Sequence, residues 1–518
     1  MKWIDLLKSS KHSLHAGGTA KTIEQPVNPI SENLSENLQK MEKMFADCQD
    51  VVIYQWRYGP ELEHTAFSIY FNTLTQTKHV NFMKASLQDL VTHEVGPATM
   101  INVEQIIDFF ESSGVSTEKA QLVDQLDTAV DHILDGHVVI FFNHWKKALS
   151  YFAGGVETRQ VSESINEPVV IGPHESAVEN LQKNIGLIRL RVKSSDFKLE
   201  SFKAGDKTKT QISFGYLNGA VNPETLAEFK KRIATVKHEE ILETSYIEEL
   251  IEDSTYSVFP QFRYTERPDV AAASLLDGKI IVLVSGTPSI MICPGLFLEF
   301  FQTSEDYYQR AAYSSLIRLL RIFAFVVALS LPSMYIALST FHSELIPTVL
   351  LLAILDTREG IPFPAFVEAL LMEFFFELMR EAGIRLPRPV GSAVSIVGAL
   401  VIGQAAIQAK IASPAMVIVV SLTGIASFSL PQYSMAVSLR ILRFPLMVLA
   451  ASLGGFGLMI GFLLVLLHLS GLRSMGQPYL SPAAPLSYRL LLDVVIRAPL
   501  KLLLRSPRNR HMHKVPRN

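Results

Sequence analysis

The residues best placed to do chemistry lie inside the most apolar part of the chain. Asp356, Arg358 and Glu359 follow an apolar run, 345–355, that is only half as long as a bilayer-spanning helix requires. Gly360 and the prolines Pro362 and Pro364 then break the chain, and 365–380 reads as a helix carrying Glu368, Glu373 and Glu377. Glu373, Glu377 and Glu381 recur every fourth residue, so they share one helix face. A carboxylate facing lipid is costly, so this face must meet water, protein or cations. Charged breaks between helices are tolerated where they line a cavity or pack inside protein. Two readings stay open. One is a polar pathway for ions or small solutes. The other is an amphipathic helix at the membrane surface, its acids in water and paired with Arg380 and Arg385. Gln404 and Gln408 lie four apart on a later helix, so they face one way and could line such a path or bond a neighbouring helix.

Elsewhere the chain offers little catalytic chemistry. It has no Walker-type phosphate loop, no Gly-x-Ser-x-Gly elbow and no His-Glu-x-x-His pair, so an enzyme is not expected. His132, His137 and His144 fall close together, but surface histidines are the simpler reading; no metal site and no cofactor are expected. Trp145 with Phe141 and Phe142 reads as core. Cys48 and Cys293 are the only cysteines, too few for a disulfide framework. The net charge of −3 carries no nucleic-acid footprint.

The elements that must position the acidic face fall into two unlike halves of this 518-residue chain, whose mean hydropathy is +0.24. Up to about residue 288 charges are dense and apolar runs short. Later, four runs are long enough to span a bilayer: 322–341, 389–409, 411–439 and 444–472, the last with His468 as its only ionisable group. Small residues recur in them, including Gly391, Gly398, Gly454, Gly455, Gly457 and Gly461, which suits close helix packing. Arg318 and Arg321, Arg385 and Arg388, and Arg440 and Arg443 flank or separate these runs; the positive-inside rule puts all three clusters in the cytoplasm. The tail from Arg473 to Arg517 is basic too. A single span over 444–472 would put it outside, so that segment is re-entrant or the tail breaks the rule. Residues 488–505 suit an amphipathic element on a membrane surface.

In the first half, the N-terminus lacks an apolar core of the signal-peptide kind, so the N-terminal region is expected in the cytoplasm. Strands are expected at 51–57, 65–71 and 138–142, and helices at 103–110 and 120–134. The series recurs: 50–59 aligns with 196–205, 65–71 with 211–217, and 133–140 with 275–282. The expected fold is therefore an α/β soluble N-terminal region of two tandem small α/β subdomains, followed by an α-helical polytopic membrane domain. Its parts are a flexible arm (1–37), a first cytoplasmic subdomain (38–165), a second (166–290), a helical transmembrane domain (291–472) and a basic tail (473–518).

Several strings together resemble one family. They include Glu167-Pro-Val-Val-Ile-Gly-Pro173, Tyr246-Ile-Glu-Glu-Leu-Ile-Glu-Asp-Ser254, Arg358-Glu-Gly-Ile-Pro-Phe-Pro-Ala-Phe-Val-Glu-Ala369, Arg380-Glu-Ala-Gly-Ile-Arg-Leu-Pro387 and Pro478-Tyr-Leu-Ser-Pro482. The chain resembles the A subunits of GerA-type spore germinant receptors over most of 165–485. That resemblance implies a multi-pass protein of the endospore inner membrane that is not an enzyme. It implies partners: a transporter-like B subunit, a lipoprotein C subunit, further A subunits and membrane lipid. It implies transduction of nutrient sensing into release of ions and dipicolinate, with an oligomeric ion channel as one form. A sporulation-stage paralogue and a stand-alone channel or transporter remain alternatives. The first subdomain departs from the family pattern at Tyr70-Phe71-Asn72-Thr73 and at His144-Trp145, and His174 stands where the family prefers Arg. Asp356, Arg358, Glu359, Glu368, Glu373, Glu377, Gln404 and Gln408 form the candidate polar pathway.

Overall fold

The computed structural model describes residues 28–58, 64–76, 80, 120–155, 164, 166–385, 401–486 and 493–499. The expected helix at 103–110, most of the run 389–409 and most of the element at 488–505 lie outside the described residues.

Two five-stranded sheets follow one another with the same strand order. The first contains β1 (Val51–Tyr58), β2 (His64–Phe71), β3 (Gln121–Val123), β4 (His137–Phe142) and β5 (Ala148–Phe152), in the order β1-β2-β4-β5-β3. The second contains β6 (Phe197–Ala204), β7 (Thr210–Leu217), β8 (Arg263–Thr265), β9 (Ile280–Val284) and β10 (Ile290–Cys293), in the order β6-β7-β9-β10-β8. The registers match as well. Val51 pairs with Phe71 and Phe197 with Leu217; Ile69 pairs with Val139 and Gly215 with Ile281. Even the turn after β2 repeats: Asn72 donates its N–H to Asp50 at 3.0 Å, and Asn218 to Asp196 at 2.8 Å.

The inner strands β4 and β9 are apolar on both faces because both faces are covered. In β9, Ile280, Val282 and Val284 point to one cluster, and Ile281 and Leu283 to another. Helices α1 (Leu34–Met44) and α2 (Leu126–Leu134) cover one face of the first sheet. Helices α3 (Leu181–Arg189) and α6 (Pro268–Leu276) cover one face of the second, and α4 (Pro223–Ile233) and α5 (Thr244–Ile251) the other. Each fits its sequence: Asn33, Asn180 and Asn222 cap α1, α3 and α4 with their side-chain oxygens.

Two expectations need correction here. Residues 120–134 are not one helix, because Gln121–Val123 pairs with Ala148–Ser150 at the sheet edge and the helix starts at Leu126. Residues 28–37 are not a free arm: Ile30 is buried, and α1 begins at Leu34.

The two sheets are riveted together. Cys48 bridges Leu199 in parallel. Buried Arg189 gives Nε and Nη2 to Asp50 at 2.9 and 2.8 Å and Nη1 to the Phe197 carbonyl at 2.9 Å. Its guanidinium lies between the rings of Phe71 and Phe197, at 4.5 and 4.4 Å.

The helical half contains α7 (Ala311–Thr340), α8 (Thr348–Arg358), α9 (Ala365–Arg385), a helix over 401–408, α10 (Pro414–Phe428) and α11 (Tyr433–Gly471). Among the described residues, α7 and α11 are long and apolar enough to cross a membrane; α10 is shorter. The expected run 411–439 is broken at 429–432, where Pro431 follows the end of α10 and Gln432 opens α11.

Of the alternatives left open for 444–472, the structure shows a segment that folds back. Gly454 has φ 62° and ψ −140°, and α11 folds back there as a hairpin. A Cβ on Gly461 would meet the Leu446 side chain, and one on Gly457 would meet the Leu449 carbonyl. In a straight helix, residues fifteen apart lie about 22 Å apart. The first limb, 433–453, rises about 30 Å at 1.5 Å per residue, and 455–471 returns. Both limbs therefore end beside the second sheet. There Ser438 Oγ donates to the Val258 carbonyl, and Ser257 Oγ lies 2.8 Å from His468 Nε2. The chain after the hairpin, with β11 (Arg473–Ser474) and β12 (Gln477–Pro478), docks on the same sheet region. Buried Tyr479 donates to the Pro260 carbonyl at 2.6 Å.

Candidate functional site

The acidic face of α9 is buried against the first limb of α11. Glu373 accepts from Arg443 Nη1 at 2.5 Å, and each side chain is 1% exposed. Arg443 also gives Nε to the Ala328 carbonyl of α7 at 3.0 Å. One turn further on, Glu377 lies 3.4 Å from Arg380 and 3.5 Å from Arg440. Arg380 is held between the rings of Phe376 and Phe428, at 4.9 and 5.1 Å. At the other end of α9, Glu368 is fully buried; it lies 3.1 Å from Arg358 and accepts the Ser413 N–H at 3.0 Å. A ladder of three carboxylates and four arginines thus runs through the bundle.

The ladder is incompletely satisfied. Glu373 Oε1, Arg443 Nη2, Glu377 Oε1, Arg380 Nε, Ser333 Oγ and Tyr335 Oη are buried without a hydrogen-bond partner. A buried donor or acceptor left unpaired costs about 1–3 kcal/mol. Native structures keep such groups where a water, an ion or a second arrangement uses them.

The structure brings together only part of the sequence-derived set. Arg358, Glu368, Glu373 and Glu377 join the ladder. Asp356, Glu359, Gln404 and Gln408 lie exposed on the surface of the bundle. The acids are not laid out in water, and Arg385 pairs with exposed Glu381 at 2.6 Å rather than with the buried acids. Arg440 and Arg443 were absent from the candidate set. Their signal was present, two arginines three apart matching acids four apart, but it read as a loop between two spans. They sit inside one helix limb instead. Arg318 and Arg321 are tied to the soluble side: both pair with Asp306 at 2.9 Å. Arg318 lies 5.2 Å from the ring of Tyr307, whose hydroxyl is pushed up to about 12 by burial and by Asp493.

The sheet region meets the helices at Glu167. Its carboxylate accepts from Thr265 Oγ1 at 2.5 Å and from Gln432 Nε2 at 3.3 Å, so the linker between the sheets touches the start of α11. Burial pushes the Glu167 carboxyl above the usual carboxylate range. A cleft of about 300 Å³ opens beside it, between Pro168, Arg263, Arg321 and Pro431.

Two of the three histidines come together, His132 and His137 with ring centroids 4.8 Å apart. His132 Nδ1 lies 2.8 Å from Ser150 Oγ and His137 Nδ1 lies 3.1 Å from the His132 carbonyl, while His144 turns away with φ 67°. Among the described residues no group of three or more metal-ligating side chains occurs. Trp145 packs with Phe142 at 5.6 Å.

The family model described as "Bacillus/Clostridium GerA spore germination protein" matches residues 39–509. The chain belongs to the GerA family. It is 42% identical to the Bacillus subtilis "Spore germination protein KA" over 92% of this chain and 86% of that protein. It is equally 42% identical to the B. subtilis "Uncharacterized membrane protein YfkQ", over 92% of this chain and 91% of that one. Among solved structures, the N-terminal domain of the A subunit of the Bacillus megaterium spore germinant receptor GerK3 matches at 26% identity with a TM-score of 0.41. That match covers 53% of this chain and 99% of that domain.

Proposed function

We propose that this chain is the A subunit of a spore germinant receptor and converts nutrient sensing into release of ions and dipicolinate. In this reading the helices cross the inner membrane of the endospore several times and the sheets lie in the cytoplasm. A transporter-like B subunit and a lipoprotein C subunit assemble with it, and several A subunits together enclose an ion channel. The observation that carries the reading is the half-satisfied ladder of Glu368, Glu373 and Glu377 with Arg358, Arg443 and Arg440 inside an apolar bundle. Fully paired buried charges hold a bundle shut. Charges with spare valences can exchange partners at low cost, which is what a two-state element needs.

Within that reading the sheets receive the signal and Glu167 passes it to α11 through Gln432. A shift of the first limb of α11 relative to α9 would slide Arg443 from Glu373 toward Glu377. That move changes the field inside the bundle and leaves the buried Glu373 carboxylate to be met by water, a proton or a cation.

The test uses spores lacking the gene, complemented with wild type or with Glu373→Gln, and follows nutrient-triggered germination and early cation release. Loss of response to one nutrient class, recovered by wild type and altered by Glu373→Gln, is expected. An unaltered response in both the deletion and the Glu373→Gln spores overturns the reading. The second reading, a sporulation-stage paralogue, draws on the equal identity to a membrane protein whose description carries no germination role. It predicts slowed germination with every nutrient.

A further inference from the structure

Two loops of the second sheet region carry large apolar side chains exposed at the surface. In the linker, Val170 is 83% exposed and Ile171 51%. In the loop before Phe259, Tyr256 is fully exposed. Soluble domains usually bury such groups or use them at an interface. Here their height along the helices says which interface.

Both loops are pinned to the foot of the bundle. The linker is fixed on one side by Glu167 to Gln432, the residue that opens α11. On the other side, Gly172 lies against the ring of Tyr308, three residues before α7, and Arg267 holds the Pro173 carbonyl at 3.0 Å. The second loop is fixed by Ser257 to His468 and by the Val258 carbonyl to Ser438. Ser438 is five residues into the first limb, so Val258 stands about 7 Å up the helix from its start. Tyr256 is therefore beside apolar helix surface, not below it. Exposed Tyr433 stands at the same foot, at the start of α11. Tyrosines at one level around apolar helices mark the boundary between hydrocarbon and headgroups, where a ring with a polar end is best accommodated.

We infer that Val170, Ile171 and Tyr256 insert into the headgroup layer of the bilayer, so that the second sheet region rests on lipid as well as on the helices. The inference rests on the reading that the helices cross a membrane. The occupant is lipid because the loops stand with Tyr433 at the foot of α11 and sit beside exposed Leu464, Leu466 and Leu467, helix surface that would itself face acyl chains. The linker that touches α11 through Glu167 would then move in a plane fixed by the membrane.

The test uses the full chain reconstituted in phosphatidylcholine–phosphatidylglycerol vesicles. Fluorophores are attached at Val170→Cys, Tyr256→Cys, Leu464→Cys and Lys146→Cys; native Cys48 and Cys293 are buried. Leu464 lies exposed on the returning limb and Lys146 exposed on the first sheet region. Lipids bearing a nitroxide at the headgroup or deep in the acyl chain act as quenchers. Labels at 170 and 256 are expected to lose most of their emission to the headgroup nitroxide, the label at 464 to the deep nitroxide, and the label at 146 to neither. Unquenched labels at 170 and 256 with a quenched label at 464 overturn the inference alone. If they are also shielded from aqueous iodide, a second copy of the chain covers them instead. An unquenched label at 464 overturns the membrane reading itself.

Discussion

Two buried arginine–carboxylate pairs hold two regions of the molecule, and they differ in how completely they are used. Between the sheets, Arg189 spends Nε, Nη1 and Nη2 on Asp50 and the Phe197 carbonyl, and Asp50 accepts with both oxygens. Between the helices, Arg443 keeps Nη2 free and Glu373 keeps Oε1 free. Both pairs are nearly sealed from water, so burial does not explain the difference. A complete set of bonds has one good geometry, and a partial set has several. The two sheets are therefore held in one arrangement at this contact, and the bundle retains a place where it can rearrange.

The hardest blow to that contrast is Arg189→Met, which strands Asp50. It is expected to cost about 3–5 kcal/mol, read as a lower denaturant midpoint by the fluorescence of Trp56 and Trp145 in the first sheet region. A loss below about 1 kcal/mol would mean the sheets are not riveted there. Glu373→Gln keeps an acceptor for Arg443, so about 1–3 kcal/mol is expected, with altered cation release. The double change Glu373→Leu with Arg443→Met should recover thermal stability, since apolar replacements of buried pairs are often neutral or better. It should not recover cation release; recovery of both would make the pair a mere strut.

Smaller effects sharpen the picture. Tyr479→Phe removes the hydrogen bond to Pro260 and should cost about 1 kcal/mol in thermal unfolding, because the ring still packs against Phe297 and Phe300. No change would show that the segment after the hairpin docks by apolar contact alone. A further effect is a slope with pH. Burial together with Glu248 and Glu249 raises the Glu252 carboxyl from 4.5 to about 7. The folded chain keeps this proton where the unfolded chain has lost it, so stability falls as pH rises from about 4.5 to about 7 and levels off above. Glu252→Gln should flatten that part of the wild-type curve; an unchanged slope would exclude Glu252 as its source.

Much of the soluble fold was legible in the sequence. Aligning 50–59 with 196–205 predicts a shared register, and Val51–Phe71 with Phe197–Leu217 is that register. Strand alternation and turn residues are local, so one sequence carries them. The edge strand Gln121–Val123 was hidden because its state is decided by pairing with Ala148–Ser150, not by its own residues. In the helical half, the run of acids on α9 was visible but its partners were not. Arg440 and Arg443 carry the same letters whether they mark a loop or neutralise buried acids, and α9 is what decides. Gly454 reads in sequence as one small residue among several. Only its neighbours Phe341 and His342, at the end of α7, leave room for a turn and for no side chain.

That turn bears on how the chain is made. A segment that leaves one side of a bilayer and comes back to it can enter as a ready-paired loop, as a thread is pushed through cloth by its fold. In the membrane reading proposed above, Arg473 returns to the side on which α11 starts, so the charge rule and the connectivity of the hairpin no longer conflict. Gly454 sets how deep the loop reaches before it returns.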